Sequence, residues 1–223
     1  MQATVITKTI CNRSFKALDP ATYPYANGCF DEEEPIHAIW CEMGDGKRVV
    51  DVGACFGAFT LPALAAGAEV VAFEPSDDGV RILAENVRAN GWLWRATLKR
   101  CAVFDGWRYP QELHDDVFGR SYPAKDVRYS TLDIEVGGRI DAIKIDVEGG
   151  ELGVLQGATR ILRLARPLLL IEDHDGIDPG KPGSDYPQSI GSREKITSML
   201  TSLGYSVERR EWSCNRSYLI ARA

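Results

Sequence analysis

The sequence has little that would tie it to a membrane, a nucleic acid or a metal-thiolate centre. No apolar run reaches the roughly 20 residues that a membrane-crossing helix needs. The first residues, Met1-Gln2-Ala3-Thr4-Val5-Ile6-Thr7-Lys8, lack the long apolar core of a secretory signal. A cytoplasmic protein without a membrane span is therefore expected. Lys and Arg number 26 against 32 Asp and Glu, a formal net charge of -6; a general nucleic-acid binder needs the opposite balance to neutralise phosphates. The six cysteines, Cys11, Cys29, Cys41, Cys55, Cys101 and Cys214, form no C-x-x-C pair and have no histidine at ligand spacing. This excludes the common zinc arrangements and leaves reduced thiols, mostly small core residues.

What is present is a chain of 223 residues, 44% hydrophobic, enough for one sizeable core. Pro20, Pro24, Asn27 and Gly28 punctuate an N-terminal arm. Asp31 with Glu34 resembles a capping box ahead of a helix that places Ile36, Ile39, Trp40 and Met43 on one face. The expected organisation is an arm and amphipathic helix over residues 1–45, packed on a domain spanning 46–223. Within that domain Ser76-Asp77-Asp78 caps a helix with Val80, Leu83, Ala84 and Val87 on one face, stopped by Gly91. A strand is expected over 97–103. The apolar runs 142–147 and 167–172 read as strands buried on both faces of a parallel sheet, joined by a helix over about 149–164. Ser192 opens a further helix ending at Gly204, and 205–210 with 217–223 make a terminal hairpin. Alternation of this kind predicts a doubly wound α/β sheet, with Asp51, Glu74 and Asp146 at the carboxyl ends of strands, where such sheets bind ligands.

The run Val49-Val50-Asp51-Val52-Gly53-Ala54-Cys55-Phe56-Gly57, followed by Val70-Val71-Ala72-Phe73-Glu74-Pro75, describes a nucleotide-type cofactor site. A dinucleotide fingerprint wants glycine at 53, 55 and 58; here Cys55 and Ala58 fill the last two positions, where backbone access to a pyrophosphate is needed. S-adenosylmethionine (SAM) has no pyrophosphate. Asp51 suits its ammonium group, the Gly53 loop its methionine moiety, and Glu74 its two ribose hydroxyls. Val103, Phe104 and Asp105 are candidates for the adenine, the first two by packing and Asp105 by accepting from the exocyclic amine.

A longer run is more specific. Ile140-Asp141-Ala142-Ile143-Lys144-Ile145-Asp146-Val147-Glu148-Gly149-Gly150-Glu151, continued by Val154-Leu155-Gln156-Gly157-Ala158, resembles the I-K-I-D-x-E-G-x-E-x-x-V-L-x-G-A signature of the FkbM-type SAM-dependent methyltransferases. Asp51-Val52-Gly53-Ala54 with Gly57, Phe73-Glu74-Pro75, and Tyr129-Ser130-Thr131-Leu132-Asp133 are similar to further segments of that family. Cys55 stands where the family often has asparagine, and Pro62 falls in the helix that should follow the loop. The resemblance implies a Rossmann-like class I methyltransferase sheet, mostly parallel with an antiparallel C-terminal edge, SAM as cofactor, and O-methylation of a small-molecule or glycan hydroxyl. The cofactor contacts it implies are Asp51, Gly53, Ala54, Gly57, Glu74 and Pro75.

An alcohol acceptor must lose its proton, so a base is needed near the strand ends. Asp146, His174, Lys144 and Glu148 are the candidates. Lys144, set between two isoleucines, should be paired, with Asp146 or Asp141 the near partner. Glu148 and Glu151 equally suit a helix start. His174, in Glu172-Asp173-His174-Asp175, follows a strand and is favoured as base, with Asp146 orienting cofactor or acceptor; His37 and His114 are not expected in the site. Asp146 with the Glu172–Asp175 cluster could hold Mg²⁺, but the resemblance does not require it and no metal is expected. The Pro/Gly-rich segment 175–187, with Lys181 and Tyr186, reads as a substrate lid and Trp107 to Arg128 as the opposite wall. An N-methyltransferase, or a non-catalytic SAM-binding scaffold or regulator, are the alternative readings, and the oligomeric state is open.

Overall fold

A computed structural model of the chain describes residues 4–19, 35–105, 112–115, 120–123, 126–175, 191–211 and 217–223. The chain forms two compact units, residues 1–101 and 102–223.

The first unit begins with an antiparallel hairpin, β1 (Val5–Ile10) and β2 (Arg13–Leu18), turned at Cys11 and Asn12, both at positive φ. Helix α1 (Pro35–Cys41) buries Ile36, Ile39 and Trp40. Strand β3 (Arg48–Val52) leads through the glycine loop into α2 (Thr60–Ala65), whose Pro62 lies in the first turn, where no intrahelical donor is lost. Strand β4 (Glu69–Phe73) pairs in parallel with β3, Asp51 opposite Ala72 and Val52 opposite Phe73, and with the later β5 (Ala96–Lys99). Val49, Val50, Val52, Val70, Val71, Ala72 and Phe73 are all buried, the continuous apolar pattern of parallel strands covered on both faces.

Between β4 and β5 runs α3 (Asp77–Ala89), capped by Ser76, whose hydroxyl accepts from Gly79 N–H. Its buried face is Gly79, Ile82, Leu83, Asn86 and Val87, rotated from the Val80, Leu83, Ala84, Val87 face that hydrophobicity suggests. The reason is polar. Asn86 accepts from Leu18 N–H and donates to Phe56 C=O, at 2.7 and 2.8 Å, so an amide occupies the centre of the inner face. Gly91, at φ +72°, follows the C-cap Asn90.

The second unit opens with β6 (Ala102–Val103); residues 97–103 are thus two short strands rather than one. Hairpin strands β7 (Glu112–Asp115) and β8 (Arg120–Pro123) come next, then β9 (Tyr129–Ser130), parallel to β6, and the short α4 (Leu132–Glu135), capped by Thr131. After β10 (Ala142–Ile145) the expected long helix is broken into α5 (Glu151–Gln156) and α6 (Thr159–Leu164). A Cβ at Gly157 would lie 1.9 Å from the Phe104 carbonyl oxygen, so the chain passes too close there for a side chain. Asp133 caps the new helix from a distance, accepting from Arg160 and Ile161 N–H at 2.7 and 3.0 Å.

Strand β11 (Leu168–Glu172) pairs in parallel with β10, Lys144 opposite Leu170. Helix α7 (Ser192–Ser202) then leads to the antiparallel pair β12 (Ser206–Glu211) and β13 (Ser217–Arg222), and β13 runs antiparallel to β11 with Leu170 opposite Ile220. The central sheet is mostly parallel, with antiparallel C-terminal strands. Among the described residues, no helix is long and apolar enough to cross a membrane.

Candidate active site

In the first unit the site is built on the β3 loop and the end of β4. Gly53 and Gly57 have φ of +76° and +106° and Cys55, unusually for a residue with a side chain, +47°. The N–H groups of Gly53 and Ala54 both donate to Phe73 C=O, which folds the loop back on β4. A Cβ at Gly57 would approach Leu83 Cδ1 to 2.8 Å, so this glycine lets α3 pack closely. Asp51 is fully buried and accepts from the Thr60 hydroxyl at 2.6 Å. Glu74 is held by three donors: Cys55 N–H to Oε2 at 2.9 Å, and Ser76 N–H and hydroxyl to Oε1 at 2.9 and 2.7 Å. Gly79 makes room for this carboxylate, since a Cβ there would lie 2.8 Å from Glu74 Cγ and 2.6 Å from Ser76 Oγ. Ala54 is buried and Pro75 half-buried beside them.

A SAM molecule fits the chemistry of this group. The carboxylate is turned by neutral, mostly backbone donors, which pre-orients it for the charge-assisted bonds that two ribose hydroxyls make. The positive φ of Gly53 gives the close backbone approach that the methionine end needs. The structural roles of Thr60, Ser76 and Gly79 were not foreseen from sequence. Ser76 is visible there as a helix cap, but nothing in the spacing shows that the same hydroxyl serves Glu74.

In the second unit Lys144, Asp146, Glu148, Glu151 and His174 come together where β10 and β11 end. Lys144 is buried and its Nζ lies 3.4 Å from Asp146 Oδ2, one of the two partners the sequence offers; the other, Asp141, pairs with Arg139. His174 is only 4% exposed, with Nδ1 2.9 Å from Glu151 Oε1, and Nε2 3.3 Å from Glu148 Oε2 and 4.0 Å from Asp146 Oδ1. Burial by itself would lower the pKa of His174, but its hydrogen bonds to Glu148 and Glu151 and the nearby charges of Glu151 and Glu172 raise it to about 12. Glu151 also accepts from Val147 and Gly149 N–H, at 3.2 and 3.0 Å, and so fixes the turn after Asp146. Within this turn Glu148 has φ +54°, a left-handed conformation that costs energy in a residue with a side chain.

Asp173 faces away from this group. It accepts from Arg193 Nε, Arg209 Nε and the Ser217 hydroxyl, at 2.7, 3.0 and 3.1 Å, a network that the sequence does not announce because its members lie far apart in the chain. Val103 is buried, Asp105 half-buried, and the Phe104 ring rests on α5, where a Cβ at Gly153 would meet it at 2.3 Å. His37 packs against Phe59 with ring centroids 4.8 Å apart. Lys181, Tyr186 and half of the segment from Trp107 to Arg128 lie outside the described residues.

Residues 51–207 match the Methyltransferase FkbM domain family. The crystal structure of methyltransferase FkbM from Methylobacillus flagellatus KT superposes with a TM-score of 0.60 at 20% identity, over 81% of this chain and 44% of that one. A SAM-dependent methyltransferase from Aquifex aeolicus gives 0.53 at 16% identity, over 92% and 98%. A tRNA1(Val) (adenine(37)-N6)-methyltransferase of Shewanella sediminis (strain HAW-EB3) is 29% identical over 84 residues, so the match spans only 37% of this chain and 34% of that relative. The fold is the doubly wound, Rossmann-like α/β sheet of class I methyltransferases, and the chain belongs to the FkbM methyltransferase family.

Proposed function

We propose that the protein transfers a methyl group from SAM to a hydroxyl of a small natural product, a sugar or a glycan precursor. The observation that carries the cofactor reading is the carboxylate of Glu74, turned by Cys55 and Ser76 beside a loop that Gly53 folds at positive φ. When bound, SAM supplies an electrophilic methyl group on its sulfonium. Glu74 would take the ribose hydroxyls, the Gly53–Gly57 loop and Asp51 the methionine end, and Val103, Phe104 and Asp105 remain the candidates for the adenine.

The protein must also handle the proton that an alcohol loses. We place this task at the Asp146, Glu148 and His174 group, with Lys144 holding Asp146. Both ring nitrogens of His174 face carboxylate oxygens, so the imidazole is held between acidic groups. The side chains of Asp146 and Glu148 are 24% and 30% exposed and are the oxygens an acceptor can reach. Calorimetry of the purified chain with SAM and with NAD should show binding of SAM alone. Incubation with methyl-labelled SAM and a panel of polyhydroxylated acceptors should then yield labelled, base-stable products. NAD binding in place of SAM would overturn the cofactor, and SAM binding without transfer to any acceptor would favour a non-catalytic SAM-binding role.

A further inference from the structure

We propose that Asp146, Glu148 and His174 form a binding site for one divalent cation. One ligand atom from each lies within 4.8 Å of those of the other two. Around an octahedral ion with ligands at about 2.1 Å, neighbouring donors sit roughly 3.0 Å apart and opposite ones roughly 4.2 Å. The separations of 3.3 and 4.0 Å from His174 Nε2 therefore need only small side-chain shifts to close on a common centre.

Three features set this group apart from a mere cluster of acidic side chains. The imidazole is turned by a further carboxylate: Glu151, itself fixed by two backbone N–H groups, lies at Nδ1. An outer carboxylate on one ring nitrogen is the device that aims the other nitrogen at a metal. The two oxygens of Asp146 are also divided in their tasks, since Lys144 reaches Oδ2 while Oδ1 is turned toward His174. Lastly, Asp146, Glu148, Glu151 and Glu172 bring four carboxylates to one buried ring. Glu151 and Glu172 are buried, Asp146 and Glu148 partly exposed, and Lys144 and His174 meet only part of their charge; a divalent ion supplies two further positive charges in the volume of one atom.

One imidazole nitrogen with two carboxylate oxygens suits a first-row transition ion such as Mn²⁺ better than Mg²⁺, which prefers oxygen ligands throughout. The sequence offers Asp146 with the 172–175 cluster for Mg²⁺, with no metal expected, and does not include Glu148, because the positive φ that carries it toward His174 has no signature in the chain. On the methyltransferase reading, on which this role rests, the ion would bind the acceptor hydroxyl and ease the loss of its proton. The cation site itself stands independently of that role.

Mn²⁺ titrated into the full chain, with the unbound ion followed by electron paramagnetic resonance, should report one site. Glu148→Gln and His174→Ala should each weaken it at least about tenfold, and Glu151→Gln, which keeps an oxygen for the turn but removes the charge facing the ring, by about 10 to 100-fold. Glu208→Gln, on exposed β12, should leave it unchanged. If His174→Ala fails to fold by circular dichroism, Glu148→Gln decides. No binding by the unaltered chain up to about 1 mM Mn²⁺, the weak end of the range for specific divalent sites, overturns the proposal, as does unchanged affinity in Glu148→Gln. SAM calorimetry on the same samples separates the two readings: Mn²⁺ binding without SAM binding sinks the methyltransferase function and keeps the cation site, and the converse does the reverse.

Discussion

Glu74 and Asp146 each stand one residue past a parallel strand, yet they are held in opposite ways. Glu74 is gripped by Cys55 N–H, Ser76 N–H and the Ser76 hydroxyl, all neutral donors and two of them backbone. Asp146 is held by charge, from Lys144 on one oxygen and His174 on the other side. A carboxylate fixed by backbone donors cannot reorient unless the loop does, which suits recognition of a constant partner such as a ribose. One fixed by charged side chains responds to whatever proton, ion or substrate enters its field, which suits a place where protons move. On the proposed function, binding and chemistry would use the same residue type on different supports.

Variants can break that contrast. The largest effect is expected on the charge-held side: Asp146→Asn should lower single-turnover methyl transfer by roughly 10² to 10⁴-fold, the usual size of a proton-transfer contribution, while SAM affinity measured by calorimetry changes little. A rate near that of the unaltered chain would make the Asp146 group structural. On the backbone-held side, Glu74→Ala should weaken SAM binding by about 2 to 3 kcal/mol, from lost bonds to a charged acceptor, with the rate at saturating SAM largely kept. Loss of rate alone would erase the division of labour. Gly79→Ala sharpens the point without touching a polar group. Its new methyl would press on Glu74 and Ser76, costing about 1 to 3 kcal/mol of stability by overpacking, read as a lower Tm and weaker SAM binding together. An unchanged Tm would mean that the carboxylate support is slack.

The smallest expected effect lies away from both groups and concerns pH. Tyr205 is buried and its hydroxyl donates to Leu162 C=O; burial raises its pKa to about 12, against a smaller lowering by Arg166. A folded pKa above the unfolded value of about 10 means that the stability this group contributes is complete below about pH 10. It is lost as pH rises through about 12. Thermal melts between pH 9 and 12 should therefore show a steeper alkaline decline in the unaltered chain than in Tyr205→Phe. Parallel curves would exclude Tyr205 as the cause.

The parts of this molecule that were legible in the sequence are those whose causes lie close together in the chain. Gly53, Glu74 and the Ser76 cap fall within a few residues of the strands they serve, and Lys144–Asp146 is a pair two residues apart. The rotated face of α3 was hidden because Asn86 is polar, and a periodicity count assigns such a residue to solvent although it holds β2 and Phe56. The break at Gly157 was hidden because its cause, the Phe104 carbonyl, lies some fifty residues earlier in the chain. The same holds for Glu151: its acidity fits a helix start, and only the fold shows it beneath His174.

Asp173 has a consequence for the order in which the second unit can assemble on a ribosome. Its partners Arg193, Arg209 and Ser217 emerge 20, 36 and 44 residues after it, and β13 covers the edge of β11 only once Ser217–Arg222 are made. Until then the nascent chain carries an apolar strand, Leu168 to Ile171, with one side unpaired, and such edges template aggregation. Synthesis that stalls between β11 and β13 should therefore yield a chaperone-dependent species. The last strand then acts as the latch that makes the unit soluble.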